Sequence, residues 1–372
     1  MSFQKVKNIG LYLIYLVVFT LVMAEVILKI YNPFAFRIRG YDIVLPAGQR
    51  YEIEMKGSKK FEPKIIHTKN SLGFRGPEKP TDWSEKLTIV TVGGSTTECY
   101  YVSDSLTWPY QLSKELVKSC PSLWLNNAGL NGHSTFGHQV LLDKYLIQLK
   151  PKIIVFLVGI NDLDRQDLNN FDGSITEDKT QGVKDWVVNH SELANVFLNI
   201  KRYMRANAML GLSHNLETVS LKEMKTLKMS DGEIEAEVSK QKTLYLSSFS
   251  QRVSKLIETC KKNNIEPILV TQPLLFGEGI DPTTGVDLAT IKTAENQNGR
   301  LYWSKLEIYN REVVEIGKRM NTFTIDLAHL MPKNSLYYYD AMHFTYQGCA
   351  ELAQIMSQNM TPYLQKKYPN CK

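Results

Sequence analysis

Four places in this 372-residue chain combine a glycine-rich turn or a polar pair with the end of an apolar run, where reactive side chains can be exposed. The first is Val92-Gly-Gly-Ser-Thr-Thr97, which sets Ser95 on a tight turn; glycines let the backbone bend sharply and leave the hydroxyl and the following amides open. The second, Asn126-Asn-Ala-Gly-Leu-Asn-Gly-His-Ser-Thr135, contains Gly132, whose backbone N–H can face a developing oxyanion. Its plain reading is a strand-to-helix turn with Ser134 or Thr135 as N-cap. The third, Gly159-Ile-Asn-Asp162, offers the Asn161 amide, a group of the kind oxyanion holes use. The fourth is Asp340-Ala-Met-His343: a serine needs a base to take its proton, and an imidazole works best when a carboxylate orients it. Taken singly, each has an ordinary structural reading as a turn or a cap.

A second Asp-x-x-His pair, Asp326-Leu-Ala-His329, has the same spacing. It closes the apolar run Thr322-Phe-Thr-Ile-Asp-Leu327, where an acid commonly caps a strand end. The later pair lies between Tyr337-Tyr-Tyr339 and Thr345-Tyr-Gln-Gly348, as a loop leading into a last helix would, and is the expected working pair. His133 and His138 are too loosely spaced for a metal pair and are read as non-ligands.

These residues need a frame. From Leu87 onward apolar runs alternate with helical stretches, the pattern of an α/β fold with a parallel sheet. Strands are expected at Leu87 to Val92, Leu123 to Asn126, Ile153 to Val158, Pro267 to Thr271 and Thr322 to Leu327. The unbroken run Ile153-Ile-Val-Phe-Leu-Val158 implies burial on both faces. Helices are expected at about Trp108 to Ser119, Phe136 to Leu149, Glu233 to Asn263, Leu301 to Met320 and Gln347 to Lys366. In open parallel sheets reactive groups gather beyond the carboxyl ends of the strands, which is where Ser95, Gly132 and Asn161 fall.

Taken in order, the four elements resemble the block pattern of the SGNH (GDSL-like) hydrolase superfamily over roughly Leu87 to Leu364. The first block reads Gly-Gly-Ser-Thr where many members have Gly-Asp-Ser; the missing acid is not a catalytic group. The resemblance implies a three-layer α/β/α sandwich with a five-stranded parallel sheet, flavodoxin-like in architecture. It implies Ser95 as nucleophile, His343 as general base and Asp340 as its orienting partner. The Ser95 N–H, the Gly132 N–H and the Asn161 amide would form the oxyanion hole. No metal or organic cofactor is implied. The reaction would be acyl-ester hydrolysis, or acyl transfer if a sugar hydroxyl replaced water, on an acylated small molecule, glycan or lipid. A non-catalytic scaffold subunit of a membrane-associated assembly would keep the same fold. The N-terminal helix and the turn Ser71-Leu-Gly-Phe-Arg-Gly-Pro77 look similar to bacterial membrane-tethered members, which makes an O-acylated envelope glycan or lipid the first substrate to consider.

The apolar run Ile9 to Ala24 follows Lys5 and Lys7 and continues as a helical pattern to Tyr31, long enough to span if Glu25 and Lys29 pair or snorkel at the interface. Val22-Met-Ala24 also satisfies the small-residue rule for signal-peptidase cleavage. The continuation past that site favours an uncleaved anchor. Lys5 and Lys7 then place the N-terminus in the cytoplasm and the rest outside, periplasmic or extracellular, by the positive-inside rule.

The expected organisation is therefore an anchor at 1–31, a juxtamembrane segment without sustained period at 32–86, packed on the body, and the hydrolase-like domain at 87–366. That domain carries a cap-like insertion at 163–231 and a shorter loop-like one at Leu275 to Asn298. Within the first, Leu193, Val196, Phe197, Ile200, Tyr203 and Met204 fall at helical spacing, as a surface helix on the sheet, a cap or a lipid-facing surface would require. The net charge of +6 comes from 44 basic and 38 acidic residues with no dense basic stripe, so nucleic acid is not an expected partner. Five scattered cysteines contain no C-x-x-C pair and, being odd in number, leave at least one thiol unpaired.

Overall fold

The computed structural model describes residues 3–34, 38–39, 42–55, 60–165, 186–187, 190–210, 220–294, 296–369 and 371. Two compact units divide the chain, one of 1–46 with 173–215 and the other of 47–172 with 216–372.

The larger unit is built on five parallel strands: β1 (Leu87–Gly93), β2 (Leu123–Asn127), β3 (Ile153–Val158), β4 (Glu266–Thr271) and β5 (Thr324–Ile325). Their spatial order is β5-β4-β3-β1-β2. Every side chain of β3 is buried, as its unbroken apolar run requires: alternate residues point to opposite faces, and helices cover both. Trp108–Leu116 packs against Tyr346–Lys367 on one face, while Thr135–Leu141, Ser247–Lys262 and Gly299–Arg319 pack together on the other. Burying each Val, Ile or Leu of the sheet contributes about 1.5–3 kcal/mol, so a charge at Val155 would undo the strand that both helix layers rest on.

Two boundaries differ from expectation for local reasons. The last strand pairs over two residues only, because the Asp326 carboxylate accepts from Thr271 Oγ1 (2.9 Å) and the chain turns at once into the short helix Leu327–Leu330. The helix after β1 stops at Leu116, earlier than its apolar period suggests. The capping box of Ser230 and Glu233 starts the helix Asp231–Gln241, which continues through a π-turn into Ser247–Lys262.

The segment read as lacking a period contains an antiparallel pair, Arg50–Glu54 with Lys64–Thr68, in which Tyr51 faces His67 and Ile53 faces Ile65. The short alternation Arg50-Tyr-Glu-Ile-Glu54 is its sequence signal. The shorter insertion likewise carries a small antiparallel pair, Lys292–Ala294 with Gln297–Asn298. A disulfide joins Cys120 to Cys371, and Cys99, Cys260 and Cys349 are buried thiols.

In the smaller unit the helix Phe3–Ile30 includes 23 residues, Asn8–Ile30, with mean hydropathy 2.5 and an apolar window that is unburied, long and apolar enough to cross a membrane. Lys29 Nζ lies 3.4 Å from the Glu25 carboxylate. That carboxylate also accepts from Ser191 Oγ (2.8 Å) and from the N–H groups of Glu192 (3.1 Å) and Leu193 (3.0 Å). It thereby satisfies donors that open the helix Glu192–Leu210, which would otherwise lack partners. This helix, read from the sequence as a surface helix on the sheet, a cap or a lipid-facing surface, is grouped with the apolar N-terminal helix. Val196 is buried, while Phe197 and Ile200 are exposed. Most of the insertion between 166 and 185 and between 211 and 219, and the side chains of Tyr203 and Met204, lie outside the described residues.

Candidate active site

β1 delivers Ser95 at its carboxyl end as the first residue of a four-residue helical turn, Ser95–Glu98. Gly94 is needed there for space: a Cβ at this position would collide with the Asn161 amide nitrogen. The turn ends at Cys99, which takes a left-handed conformation (φ 52°).

Ser95 Oγ lies 2.7 Å from His343 Nε2, and His343 Nδ1 lies 2.6 Å from Asp340 Oδ2. A carboxylate only accepts, so Nδ1 carries the proton and Nε2 presents its lone pair to the serine hydroxyl. The other Asp340 oxygen accepts from the N–H groups of Met342 (2.9 Å) and His343 (2.8 Å), which locks the turn between acid and base. Burial pushes the Asp340 carboxyl up, but the His343 charge and these hydrogen bonds outweigh it and hold the group below its ordinary range. The Tyr339 ring lies parallel to the imidazole, 5.4 Å between centroids.

The loop bearing this pair is tied down on both sides. Leu275 N–H donates to Ala341 O (2.8 Å), Lys333 Nζ donates to Leu274 O (2.8 Å) and Phe276 O (2.6 Å), and Ser335 Oγ donates to the Asp281 carboxylate (2.7 Å). The loop ends where Thr345 caps the helix Tyr346–Lys367, its hydroxyl accepting from Gly348 N–H (3.0 Å). The shorter insertion thus supports the segment that carries His343.

Gly132 adopts a positive φ of 77°, which a residue with a Cβ rarely takes. Asn161 sits in the turn Ile160–Asp162 that follows β3; its Nδ2 donates to His133 O (3.0 Å) and lies against Gly94. Asp162, buried next to it, accepts from Thr135 N–H and Oγ1 (3.2 and 2.5 Å) and from Arg252 Nη2 (3.2 Å), fixing the turn to the helix after β2. Ser134 is the N-cap of that helix.

Ser95, Asp340 and His343 are therefore brought together, with Asn161 beside Gly94. Asp326 and His329 pair with one another at 2.9 Å, and His329 Nε2 faces Glu307 (3.4 Å) and not Ser95. Among the described residues no group of three or more His, Cys, Asp or Glu side chains is arranged to hold a metal ion, His133 and His138 included. The arrangement can deprotonate a hydroxyl while it attacks an electrophilic carbon.

Sequence reasoning missed the support beneath Ser95. Arg75, from the turn Ser71 to Pro77, is buried and uses all five N–H groups. They donate to Glu98 O (2.7 Å), Cys99 O (2.7 Å), Val102 O (2.8 Å) and twice to Asp104 Oδ1 (2.8 and 2.6 Å). Its backbone pairs both ways with Asn127 at the end of β2 (2.9 Å each). The ordered look of Ser71 to Pro77 was the one available signal.

The model of the GDSL-like lipase/acylhydrolase family matches residues 91–350, well over half of the chain. The chain belongs to this family. As a GDSL-like chain it is an acyl-ester hydrolase by family, with the five-stranded parallel sheet described above. No curated protein matches it in sequence. Similar solved structures include Axe2, an acetylxylan esterase from Geobacillus stearothermophilus, at 14% identity and a TM-score of 0.41, covering 73% of this chain and 93% of that one. A G-D-S-L family protein from Desulfitobacterium hafniense DCB-2 is 15% identical with a TM-score of 0.38, covering 73% and 99%. TesA is 12% identical with a TM-score of 0.40, covering 74% and 98%.

Proposed function

We infer that this GDSL-like chain is a membrane-anchored serine esterase that removes or transfers an acyl group through an acyl-enzyme on Ser95. The observation that carries the reading is the continuous relay from Ser95 Oγ through His343 to Asp340, at 2.7 and 2.6 Å. His343 Nε2 takes the hydroxyl proton as Ser95 Oγ bonds to the ester carbonyl carbon. The carbonyl π-pair moves to oxygen, where the Ser95 N–H, the Gly132 N–H and the Asn161 amide receive it. Collapse expels the alkoxide, which leaves with the His343 proton. Water, or a sugar hydroxyl in a transferase, repeats the steps on the acyl-enzyme and frees Ser95. Asp340 stabilises the imidazolium and keeps its Nδ1 protonated throughout.

The apolar helix Asn8–Ile30 supports a tether: its 23 residues rise about 34 Å against a hydrocarbon core of about 30 Å. Lys5 and Lys7 favour a cytoplasmic N-terminus with residues after Tyr31 outside, in the periplasm or beyond the cell, and the disulfide is in keeping with an oxidising compartment. Acylated envelope glycan or lipid is then the substrate within reach.

The test is fluorophosphonate labelling of the full chain in detergent, beside Ser95→Ala. Labelling of the wild type and none of the variant is expected. Equal labelling of both removes Ser95 from the mechanism.

A further inference from the structure

Three residues past Ser95, Glu98 is a fully buried carboxylate that the proposed chemistry does not use. Burying a charge is expensive, and a well-packed apolar pair of the same volume is often at least as stable as a buried ion pair. Its contacts are specific. One oxygen lies 3.1 Å from Lys69 Nζ, itself buried, and the other accepts from Asn131 N–H at 2.7 Å. Asn131 immediately precedes Gly132.

We propose that Glu98, as a buried ion pair with Lys69, is a positioning residue that sets the Gly132 N–H against the Ser95 N–H. This rests on reading those two N–H groups as oxyanion donors. The geometry makes Glu98 a charged link between them. Its backbone closes the helical turn that Ser95 opens, its N–H donating to Gly94 O (3.0 Å) and its carbonyl accepting from Arg75. Its carboxylate reaches across to the loop after β2.

Neutral bonds already join the two segments: Asn127 Nδ2 donates to Thr97 O (2.7 Å), and Leu130 N–H donates to Gly93 O (3.0 Å). Beyond Leu130 the loop turns outward, with Asn131 exposed and Gly132 part-exposed. With its permissive φ, Gly132 allows the peptide between it and Asn131 to rotate. A charge-assisted bond to the N–H of Asn131 restrains that rotation from one side, where a neutral acceptor would hold it less firmly. Lys69, from the chain just after the strand Lys64–Thr68, lies against the carboxylate and keeps it aimed.

The test measures kcat, KM on an aryl acetate and the rate constant of fluorophosphonate labelling in the full chain in detergent, with melting temperature alongside. Glu98→Ala is expected to lower kcat and labelling by roughly 10- to 100-fold, short of the about 10² to 10³ that deleting a donor costs, with KM within threefold. In Glu98→Gln combined with Lys69→Met, a neutral amide still accepts from Asn131 in an uncharged setting. Most of the loss in both rates should return there, and this pair also serves if Glu98→Ala does not fold. Wild-type rates in folded Glu98→Ala, a loss confined to KM, or a double variant as slow as Glu98→Ala would each overturn the proposal. Ser95→Ala in the same series separates the two readings: if it stays active, the site assignment itself has failed.

Discussion

His329 Nδ1–H donates to the Asp326 carboxylate at 2.9 Å, a dyad with the same i, i+3 spacing as the Asp340–His343 pair, but its Nε2 faces Glu307. Spacing does not distinguish the two dyads; what stands beyond Nε2 does. His343→Ala is expected to lower kcat by several orders of magnitude, Asp340→Asn somewhat less, and His329→Ala by less than tenfold, all read by steady-state hydrolysis of an aryl ester. Equal damage from the two histidine variants, both folded, would show that the wrong pair has been assigned to Ser95.

Asn161 and Gly94 should behave as one unit. Asn161→Ala is expected to lower kcat about 10²- to 10³-fold with little change in KM. Gly94→Ala places a Cβ where the Asn161 amide nitrogen now lies and should cost a similar factor. Since both act through the same amide, the double variant should be little worse than either alone; fully additive losses would mean that Gly94 acts on something else.

Arg75 is expected to matter for stability first. Arg75→Met removes the donors to three backbone carbonyls and the cation beside the part-exposed Asp104 carboxylate, which Thr68 still contacts, and leaving a buried acceptor unsatisfied costs about 1–3 kcal/mol. Urea unfolding of the variant measures this. Arg75→Lys should recover only part of it, because an ammonium has three donors for five bonds. Wild-type stability in Arg75→Met would show the network to be dispensable.

Acid should weaken the larger unit partly through His67. Burial, with the nearby Arg75 and Lys69 charges, pushes its imidazole down to about 3 from an ordinary value near 6.5. Between these values the unfolded chain binds a proton that the native state refuses. The stability this neutral ring contributes is present above about pH 6.5 and declines as pH falls towards 3. His67→Phe, which keeps the edge contact with Tyr51, should lose less stability than wild type between pH 7 and 4.5 in paired denaturant titrations. Parallel losses would rule out His67 as the source.

The tether is read by labelling single introduced cysteines in intact cells and by sequencing the mature N-terminus. Labelling of sites after Tyr31 from outside, with an uncleaved start, is expected. A mature chain beginning at Glu25 would make the apolar helix a signal peptide.

The sheet was legible because strands covered on both faces must be apolar without a break, as Ile153 to Val158 are. The placement of Ser95 and Asn161 at strand exits and of His343 before the last helix was legible because the alternation of apolar runs and helical stretches fixes where such residues fall. The charges beneath them were not. Lys69, Arg75, Glu98 and Asp104 look like ordinary surface residues, and only three-dimensional partners distinguish a buried lysine from a solvated one. The grouping of Glu192–Leu210 with the N-terminal helix was hidden for a related reason: it depends on Glu25 meeting Ser191, more than 160 residues away. The pairing of Tyr51 with His67 was masked by strands only five residues long.

The bridge between Cys120 and Cys371 spans 251 residues. On a ribosome adding about 5–20 residues per second, Cys120 waits roughly 12–50 s before its partner exists. Cys99 precedes it, and Cys260 and Cys349 emerge in that interval, so three other thiols are available to Cys120 first. Their withdrawal into the interior, where all three end up buried, is what reserves Cys120 for Cys371. Correct pairing during biosynthesis is therefore favoured when the turn Ser95–Glu98 and the helices Ser247–Lys262 and Tyr346–Lys367 dock before the bridge closes.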